Sequence, residues 1–189
     1  RRLCRHLHLP LQSGCDATLK RMVRRTSQAA FRALIAEIRA IMPDAAIATD
    51  VIVGFPGETD EEFAISRAFI EEIDFAALHV FRYSLREGTA AARMPNQVSE
   101  ATKRARAETL IALGERSARR FAERFIGQTR PVLWEAVSGA SAQGFLNNGY
   151  TDNFLRVRCT VPRVLSNTLT DARLLGFADD GALLAALED

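Results

Sequence analysis

The chain has 189 residues, 48% of them apolar and 25% charged, which predicts a folded protein and excludes a disordered one. Its net charge of +2 does not by itself indicate a nucleic-acid partner. The three cysteines lack CxxC spacing, and neither a signal peptide nor an apolar run of the roughly 20 residues that span a bilayer occurs. We therefore expect a cytoplasmic protein with no disulfides and no membrane partner. Because a motif begins almost at the first residue, which is not Met, we also expect a missing upstream segment.

Basic residues are clustered along the chain. Arg1 and Arg2 open it, a second group follows at residues 20–25, and a third lies within residues 103–124. Such runs are typical either of a solvated helix face or of a surface that contacts phosphate groups. The sequence leaves both interpretations open.

The first part of the chain alternates strand-like and helix-like patterns. A strand is predicted at 4–11, a turn at 12–14 and a short basic helix at 16–25. Ser27 is placed to cap a second helix, which Pro43 ends. The predicted apolar face of this helix consists of Phe31, Leu34, Ile35, Ile38 and Ile41.

Two further strands are predicted at 46–53 and 75–84, and Thr59 with Glu62 forms a capping box for the helix between them. This βαβαβ order predicts a parallel sheet with crossover helices. Three strands are too few to close a barrel, so we expect part of an α/β (TIM-type) barrel. Ligands of such sheets bind in the loops that follow the carboxyl ends of the strands.

In the C-terminal part of the chain, the spacing of the apolar residues changes from a helical period to a period of two. One long amphipathic helix is predicted from about Ser99 to Ile126, and Gly127 ends it. Short strands of period two follow, with a turn predicted at 147–149. They predict a small β-barrel. The predicted divisions are therefore 1–95 for the partial barrel, 96–126 for a linking helix and 127–189 for the β-barrel.

Cys4, His6 and His8 alternate, so they would face the same side of one strand. Thiolate and imidazole groups suit zinc. Ligands on one straight strand converge poorly on a single ion, however, which favours barrel packing or substrate contact. We therefore predict no metal site.

Unusual polar residues follow the first two strands. Gln12 and Ser13 offer an amide and a hydroxyl that suit a ribose or a carboxylate, although any strand-to-helix turn can carry such groups. Asp50 lies in an otherwise apolar strand, where a carboxylate is costly unless it has a partner. The loop after this strand has glycines at Gly54 and Gly57 but no Gly-Lys-Ser/Thr, which excludes a P-loop.

The third strand ends in a dense polar and aromatic segment. Core packing accounts for Phe81 and for Tyr83, but not for the grouping of Ser84, Arg86 and Thr89. These residues mark the strand end as a candidate ligand site.

The small barrel carries aromatic and basic side chains together. Tyr150 and Phe154 interleave with Asn153, Arg156 and Arg158. Aromatic stacking combined with guanidinium contacts is the pattern of RNA-binding β-barrels.

In this order, the motifs resemble the methylthiotransferase family of radical S-adenosylmethionine (SAM) enzymes, which modify tRNA. His8–Gly14 matches His-x-Pro-x-Gln-Ser-Gly, and Leu19–Arg24 matches Leu-Lys-x-Met-x-Arg. Thr49–Thr59 fits the next strand end of the family, and Tyr83–Ala91 matches Tyr-Ser-x-Arg-x-Gly-Thr-x-Ala. Gly149–Val157 resembles the core of a TRAM domain, the small RNA-binding β-barrel of these enzymes.

The resemblance implies the C-terminal half of a radical-SAM barrel, a linking helix and a TRAM barrel. The sequence of Leu78–Ser84 most resembles that of the bacterial branch that acts on threonylcarbamoyladenosine. That branch implies methylthiolation of C2 of this adenosine, beside the anticodon, with the tRNA anticodon stem-loop as partner. Two alternatives are a non-catalytic RNA-binding module and an ordinary TIM-barrel lyase. The lyase would need a catalytic lysine at a strand end, whereas both lysines fall on predicted helices.

The resemblance also implies site residues. Those implied to line the SAM pocket are Gln12, Ser13, Arg24, Asp50, Gly54, Glu58, Phe81, Tyr83 and Ser84. Arg24 would bind the methionine carboxylate of SAM. Those expected to contact RNA are Arg86, Tyr150, Asn153, Phe154, Arg156 and Arg158.

The chemistry that the resemblance implies needs [4Fe-4S] clusters, one of which cleaves SAM to the 5′-deoxyadenosyl radical. The CxxxCxxC signature of that cluster does not occur in this chain. We therefore expect a chain that holds no such cluster and is inactive alone. Cys15 replaces the usual Ser or Asp after Gln-Ser-Gly, and several prolines of the Tyr-Ser-x-Arg loop are absent, which puts the ligand contacts of that loop in question.

Overall fold

The computed structural model of the protein describes residues 3–188, so Arg1, Arg2 and Asp189 lie outside the described part. The chain divides into two compact units. Leu7–Ala118 forms one, and the described residues up to His6 form the other together with those from Arg119 onward. The division falls within the long helix, whereas the sequence places separate boundaries near 95 and 126. Those domain limits stay a prediction.

The first unit is a mixed α/β structure, as predicted. The elements that lie wholly or mostly in it are, in chain order, β1 (His6–His8), α1 (Asp16–Arg21), α2 (Gln28–Ile41), β2 (Ala46–Val53), α3 (Asp60–Ile73), β3 (Ala77–Arg82) and α4 (Glu100–Glu123). The strands form one sheet in the order β1-β2-β3, in which β2 and β3 run parallel. A buried apolar core that includes Leu11, Phe31, Val51, Phe69 and Leu110 packs this unit.

The helix starts follow the capping signals in the sequence. The Ser27 hydroxyl accepts the N–H of Ala30 at 3.2 Å before α2. Thr59 and Glu62 exchange side-chain and backbone bonds before α3, so the predicted capping box is confirmed. Each such cap stabilises a helix by about 1 kcal/mol.

The first strand is shorter than predicted, covering His6–His8 instead of 4–11. The ladder stops because the hydroxyl of Thr49 takes over its bonds. It accepts the N–H of Leu11 at 3.0 Å and donates to the carbonyl of Leu9 at 2.7 Å. A single parallel bridge between Gln12 and Val51 then continues the pairing.

Three smaller expectations are wrong. The basic helix ends at Arg21 because Val23 adopts a left-handed conformation with φ of 57°. Leu34 and Ile41, placed on the buried face of α2, are exposed. Phe81 was assigned to the core but is 52% exposed, since β3 is the edge strand of the three-stranded sheet.

The second unit contains the predicted small β-barrel, closed in the order β4-β5-β6-β8-β7. The strands are β4 (Thr129–Ser141), β5 (Gly144–Thr151), β6 (Arg156–Val161), β7 (Thr168–Phe177) and β8 (Leu183–Leu187). The fully buried Trp134 anchors the interior, and its indole N–H donates to the hydroxyl of Thr170 at 2.8 Å.

The turn predicted at 147–149 lies inside β5 instead. Asn147 is buried, and its amide satisfies the backbone of the 163–165 loop, accepting the N–H of Leu165 at 2.8 Å and donating to the carbonyl of Arg163 at 3.2 Å. Gly149 lies where an added Cβ would come within 2.4 Å of the carbonyl oxygen of Leu133. Asn147 and Gly149 therefore serve the packing of the barrel, not a turn.

Among the described residues, no helix is long and apolar enough to cross a membrane.

Candidate functional site

A cleft of about 490 Å³ opens at the carboxyl ends of β2 and β3. Six of the nine residues expected to hold SAM line it, and Arg86, expected to contact RNA, joins them. The six are Gln12, Arg24, Asp50, Phe81, Tyr83 and Ser84. Parallel strand ends meet at one edge of a sheet, which is why motifs far apart in sequence converge here.

Gln12 is held at the cleft by backbone pairing with β2. Its N–H donates to the carbonyl of Asp50 and its carbonyl accepts the N–H of Ile52, both at 2.8 Å. Its φ of 71° is left-handed, an uncommon conformation for a residue other than glycine. The pairing with β2 and the left-handed backbone conformation thus together fix the position of Gln12 at the cleft.

Asp50 has the partner that its place in an apolar strand requires. Its carboxylate lies 3.0 Å from Nε2 of His8, and the ring of His8 lies 5.5 Å from that of His79. Asp50 and His79 are direct partners in the β2-β3 register. The sequence pattern favoured barrel packing or substrate contact for His8, but neither histidine was predicted in the SAM pocket. The strand order, which pairs Asp50 with His79, is the signal that could have found His79.

Tyr83 connects the cleft to the helices. Its ring contacts Phe55 edge-to-face at 5.4 Å, and Nζ of Lys103 lies 5.3 Å from its centroid. Its hydroxyl oxygen is buried and has no hydrogen-bond partner among the described residues. A buried hydroxyl without a partner costs about 1–3 kcal/mol, so this atom is a natural contact for a ligand.

Ser13, Gly54 and Glu58 do not line the cleft. Ser13 is fully buried and its hydroxyl accepts the N–H of Cys15 at 3.2 Å. Gly54 is required by packing, since a Cβ there would lie 2.3 Å from Cγ of Lys103. Gly54 and Glu58 therefore shape the loop after β2, and Ser13 shapes the turn before α1.

Glu58 forms a buried ion pair with Arg106 of α4. Its carboxylate oxygen lies 2.8 Å from Nη1 of Arg106 and accepts the N–H of Gly54 at 2.6 Å. Burial raises the pKa of Glu58, while the Gly54 N–H and Arg106 act in the opposite direction. Sequence analysis missed Arg106 because it lies on a helix that only the tertiary fold brings to this loop.

A second cleft, of about 520 Å³, shares the strand-end residues 81–84 with the first. Its other wall comes from Gln97, Glu100 and Lys103. The Glu100 carboxylate lies 2.8 Å from Nζ of Lys103 and 3.9 Å from Nη1 of Arg82. The Lys103 hydrogen bond lowers the pKa of Glu100, which keeps the carboxylate ionised.

The barrel presents a stack of three rings. Phe154 is stacked on Tyr150 at 4.7 Å and on His6 at 4.5 Å. Phe154 adopts a left-handed φ of 65° and is 57% exposed. Asn153, in contrast, is fully buried, and its Oδ1 accepts the hydroxyl of Thr151 at 2.6 Å. The amide therefore forms the turn that presents Phe154.

The two predicted RNA-binding arginines of the barrel, Arg156 and Arg158, share one carboxylate. Asp180 lies 3.0 Å from Arg156 and 3.4 Å from Arg158. The N–H of Ala182, followed by the two arginines, lowers the pKa of Asp180. The positive charge of this surface is thus partly neutralised.

The three residues considered for zinc have separate contacts. Cys4 is exposed, His6 stacks on Phe154, and His8 pairs with Asp50. Within residues 3–188, no group of three or more His, Cys, Asp or Glu side chains is arranged to hold a metal ion.

No protein-family model matches the chain. It is 40% identical to threonylcarbamoyladenosine tRNA methylthiotransferase MtaB of Bacillus subtilis, over 82% of this chain and 35% of that protein. Identity to the MtaB of Thermotoga maritima is 42%, over 73% and 32% respectively. The tRNA-2-methylthio-N(6)-dimethylallyladenosine synthase of Pelotomaculum thermopropionicum is 37% identical over 92% and 40%.

The chain thus spans about a third of the length of these relatives. Among solved structures it is similar to coproporphyrinogen III oxidase (HemN) from Escherichia coli, a radical-SAM enzyme. The TM-score is 0.52 and the identity 17%, with 98% of this chain and 46% of the other covered. That likeness concerns the fold alone. The names of the three sequence relatives all describe tRNA methylthiolation. Over the segment that matches them, the chain belongs to the radical-SAM tRNA methylthiotransferase family.

Proposed function

We propose that the chain is the C-terminal part of an enzyme that methylthiolates C2 of N6-threonylcarbamoyladenosine, beside the anticodon of tRNA. One observation carries the proposal. Residues from four separate motifs, including Gln12, Arg24, Asp50 and Tyr83, line one cleft at the carboxyl ends of parallel strands. Packing alone gives no reason for these polar residues to converge.

The cleft has the groups that SAM requires. Met22, Ile52 and Phe55 offer apolar surface for the adenine ring. Arg24 would bind the methionine carboxylate, and Asp50 would accept hydrogen bonds from the ammonium or ribose groups. Bound SAM would supply the radical chemistry, and these residues would orient it and shield it from water.

The cysteines of the described segment do not fit an iron–sulfur cluster, because no three such ligands are grouped. In the proposal, the [4Fe-4S] clusters belong to the longer protein, and this chain alone is inactive. Residues 1–95 would be half of the radical-SAM barrel, completed by upstream strands.

The β-barrel would be the TRAM domain and would bind the tRNA anticodon stem-loop. Its stacked rings, with exposed Phe154, offer the surface on which bases stack. Arg156 and Arg158 would add phosphate contacts. The proposal retains the predicted domain limits at 95 and 126, and it places the enzyme with its tRNA substrate in the cytoplasm.

Calorimetric titration with SAM tests the cofactor part. We expect Arg24→Ala and Asp50→Asn each to weaken binding roughly tenfold, because each removes a hydrogen bond to a charged group. Arg67→Ala, at an exposed position of α3 outside the cleft, should leave affinity unchanged. If neither this chain nor the longer protein binds SAM, the proposal is wrong.

Nucleoside analysis of tRNA treated with the longer, cluster-loaded protein tests the substrate. We expect the 2-methylthio derivative of N6-threonylcarbamoyladenosine. A product formed only on N6-dimethylallyladenosine would replace the proposed substrate, and no product on any tRNA would favour the alternative of a non-catalytic RNA-binding module.

A further inference from the structure

We infer that the second cleft binds the N6 substituent of the substrate adenosine and selects a substituent that carries a carboxylate over a hydrocarbon one. This inference rests on the proposed function and deepens it, since it names the part of the site that sets substrate choice. The relatives differ in this substituent: some names specify a threonylcarbamoyl group and others a dimethylallyl group, at similar identity to this chain. Overall identity therefore does not decide the substrate, and the local chemistry must.

The position of the second cleft is the first argument. Phe81, Arg82, Tyr83 and Ser84 line both clefts. A base whose C2 lies close to SAM in the first cleft would therefore have a neighbouring cavity for its N6 group. The volume of about 520 Å³ exceeds what an amino-acid-sized substituent needs.

Charge is the second argument. Arg82 and Lys103 share the single carboxylate of Glu100, which leaves one net positive charge on this wall. Lys103 is only 5% exposed, so its ammonium group is held in place by the fold. Glu100, in contrast, has a 75% exposed side chain and is free to swing into solvent. Its carboxylate holds the position that the substrate carboxylate would take.

Polar side chains are the third argument. The Tyr83 hydroxyl has no partner among the described residues, and Ser84 and Gln97 line the same wall. The amide nitrogen of Gln97 already donates to the carbonyls of Ala91 and Met94. A threonylcarbamoyl group carries a hydroxyl, a urea and a carboxylate that would satisfy these polar side chains. A dimethylallyl group would cover these polar groups without hydrogen bonds, which is costly.

The test uses three anticodon stem-loop RNAs of one sequence, carrying N6-threonylcarbamoyladenosine, N6-dimethylallyladenosine or unmodified adenosine. Fluorescence anisotropy with the 189-residue chain gives a Kd for each. We expect the threonylcarbamoyl RNA to bind roughly tenfold more tightly than the dimethylallyl RNA, since the difference is one charge-assisted hydrogen-bond set. Lys103→Met should remove most of this preference.

Three further variants keep the test decisive. Lys20→Met is the matched control, because it removes the other lysine of the chain from an exposed helix position outside the second cleft. It should change all three Kd values by one factor. Glu100→Gln removes the competing carboxylate without touching the core. This variant should lower the Kd for the threonylcarbamoyl RNA about threefold and leave the Kd for the dimethylallyl RNA unchanged. If circular dichroism shows that Lys103→Met does not fold, Glu100→Gln and Arg82→Gln test whether this wall sets the preference between the two modified RNAs.

The outcomes separate the two claims. Equal affinity for the two modified RNAs, or tighter binding of the dimethylallyl RNA, overturns this inference and leaves the proposed methylthiotransferase activity intact. A preference that Lys103→Met, Arg82→Gln and Glu100→Gln all leave unchanged also overturns it. Failure of the chain and of the longer protein to bind any of the three RNAs overturns the proposed function, and this inference with it.

Discussion

The cleft of the first unit and the surface of the barrel use their polar residues differently. At the cleft, the residues singled out by the motifs converge on one cavity, where Asp50 stays partly exposed beside its partner His8. On the barrel, Asn153 is buried in a turn, and both arginines are paired to Asp180. A motif residue in the parallel sheet is therefore a good candidate for ligand contact, whereas a motif residue in the barrel often builds the surface instead.

The same contrast appears within the first unit. Glu58 belongs to the Thr49–Thr59 motif, yet its carboxylate is already bound by the N–H of Gly54 and by Arg106. The motif thus mixes residues that face a ligand with residues that hold the loop. Variants that separate stability from binding distinguish the two groups.

The largest effect is expected for Arg106→Leu, which would leave the Glu58 carboxylate buried without its cation. Breaking a buried pair in this way costs about 3–5 kcal/mol of unfolding free energy. Arg104→Leu, at an exposed position of the same helix, should cost well under about 1 kcal/mol. Urea denaturation measures both, and a loss for Arg106→Leu no larger than that of the control would refute the structural role of Glu58.

The pH dependence of that loss gives a second check. Burial already raises the pKa of Glu58 in the folded protein, and removing Arg106 takes away an opposing influence. A carboxyl with a raised folded pKa stabilises the fold while protonated and loses that contribution as pH rises from the unfolded pKa through the folded one. The destabilisation by Arg106→Leu should therefore be smaller near pH 4.5 than at pH 7.

A smaller effect is expected in the barrel for Asn153→Ala. The variant removes the acceptor for the Thr151 hydroxyl and should cost about 1–3 kcal/mol of unfolding free energy. Asn148→Ala, whose amide is only partly buried, is the matched control and should cost about 0.5 kcal/mol. Full stability of Asn153→Ala combined with lost RNA binding would instead restore the role that the sequence predicts.

Much of the fold was accessible to sequence analysis because local rules govern it. The caps at Ser27 and Thr59, the parallel pairing of β2 with β3 and the small barrel all follow from spacing and residue type. The turn assigned at 147–149 failed because Asn and Gly also suit a buried strand whose amide bonds a neighbouring loop.

Only half of the candidate site could be predicted from the sequence. Asp50 and Tyr83 stand out because polar groups at strand ends are unusual. Glu100, Lys103 and Arg106 do not, since a charged residue on an amphipathic helix normally faces water. Their role appears only when α4 meets the loops after β2 and β3, and no periodicity encodes that contact.

A moderate effect on SAM affinity is expected for His8→Gln, which weakens the contact between residue 8 and the Asp50 carboxylate. The pair is partly exposed, so its loss should cost only about 1 kcal/mol, or roughly fivefold in SAM affinity. His79→Gln, which keeps the His8–Asp50 contact, should change affinity less than about twofold. Calorimetry compares them, and equal effects would show that the His8–Asp50 contact does not orient the carboxylate.

The smallest effect concerns the paired arginines of the barrel. Asp180→Asn should release Arg156 and Arg158 from their shared carboxylate and tighten anticodon stem-loop binding about twofold to threefold, with a steeper dependence of affinity on salt. Asp179→Asn removes the same charge from the adjacent exposed position. If both variants tighten binding equally, net charge alone explains the gain. If Asp180→Asn alone does so, and Arg156→Ala with Arg158→Ala abolishes the gain, the barrel surface becomes an RNA contact that Asp180 restrains.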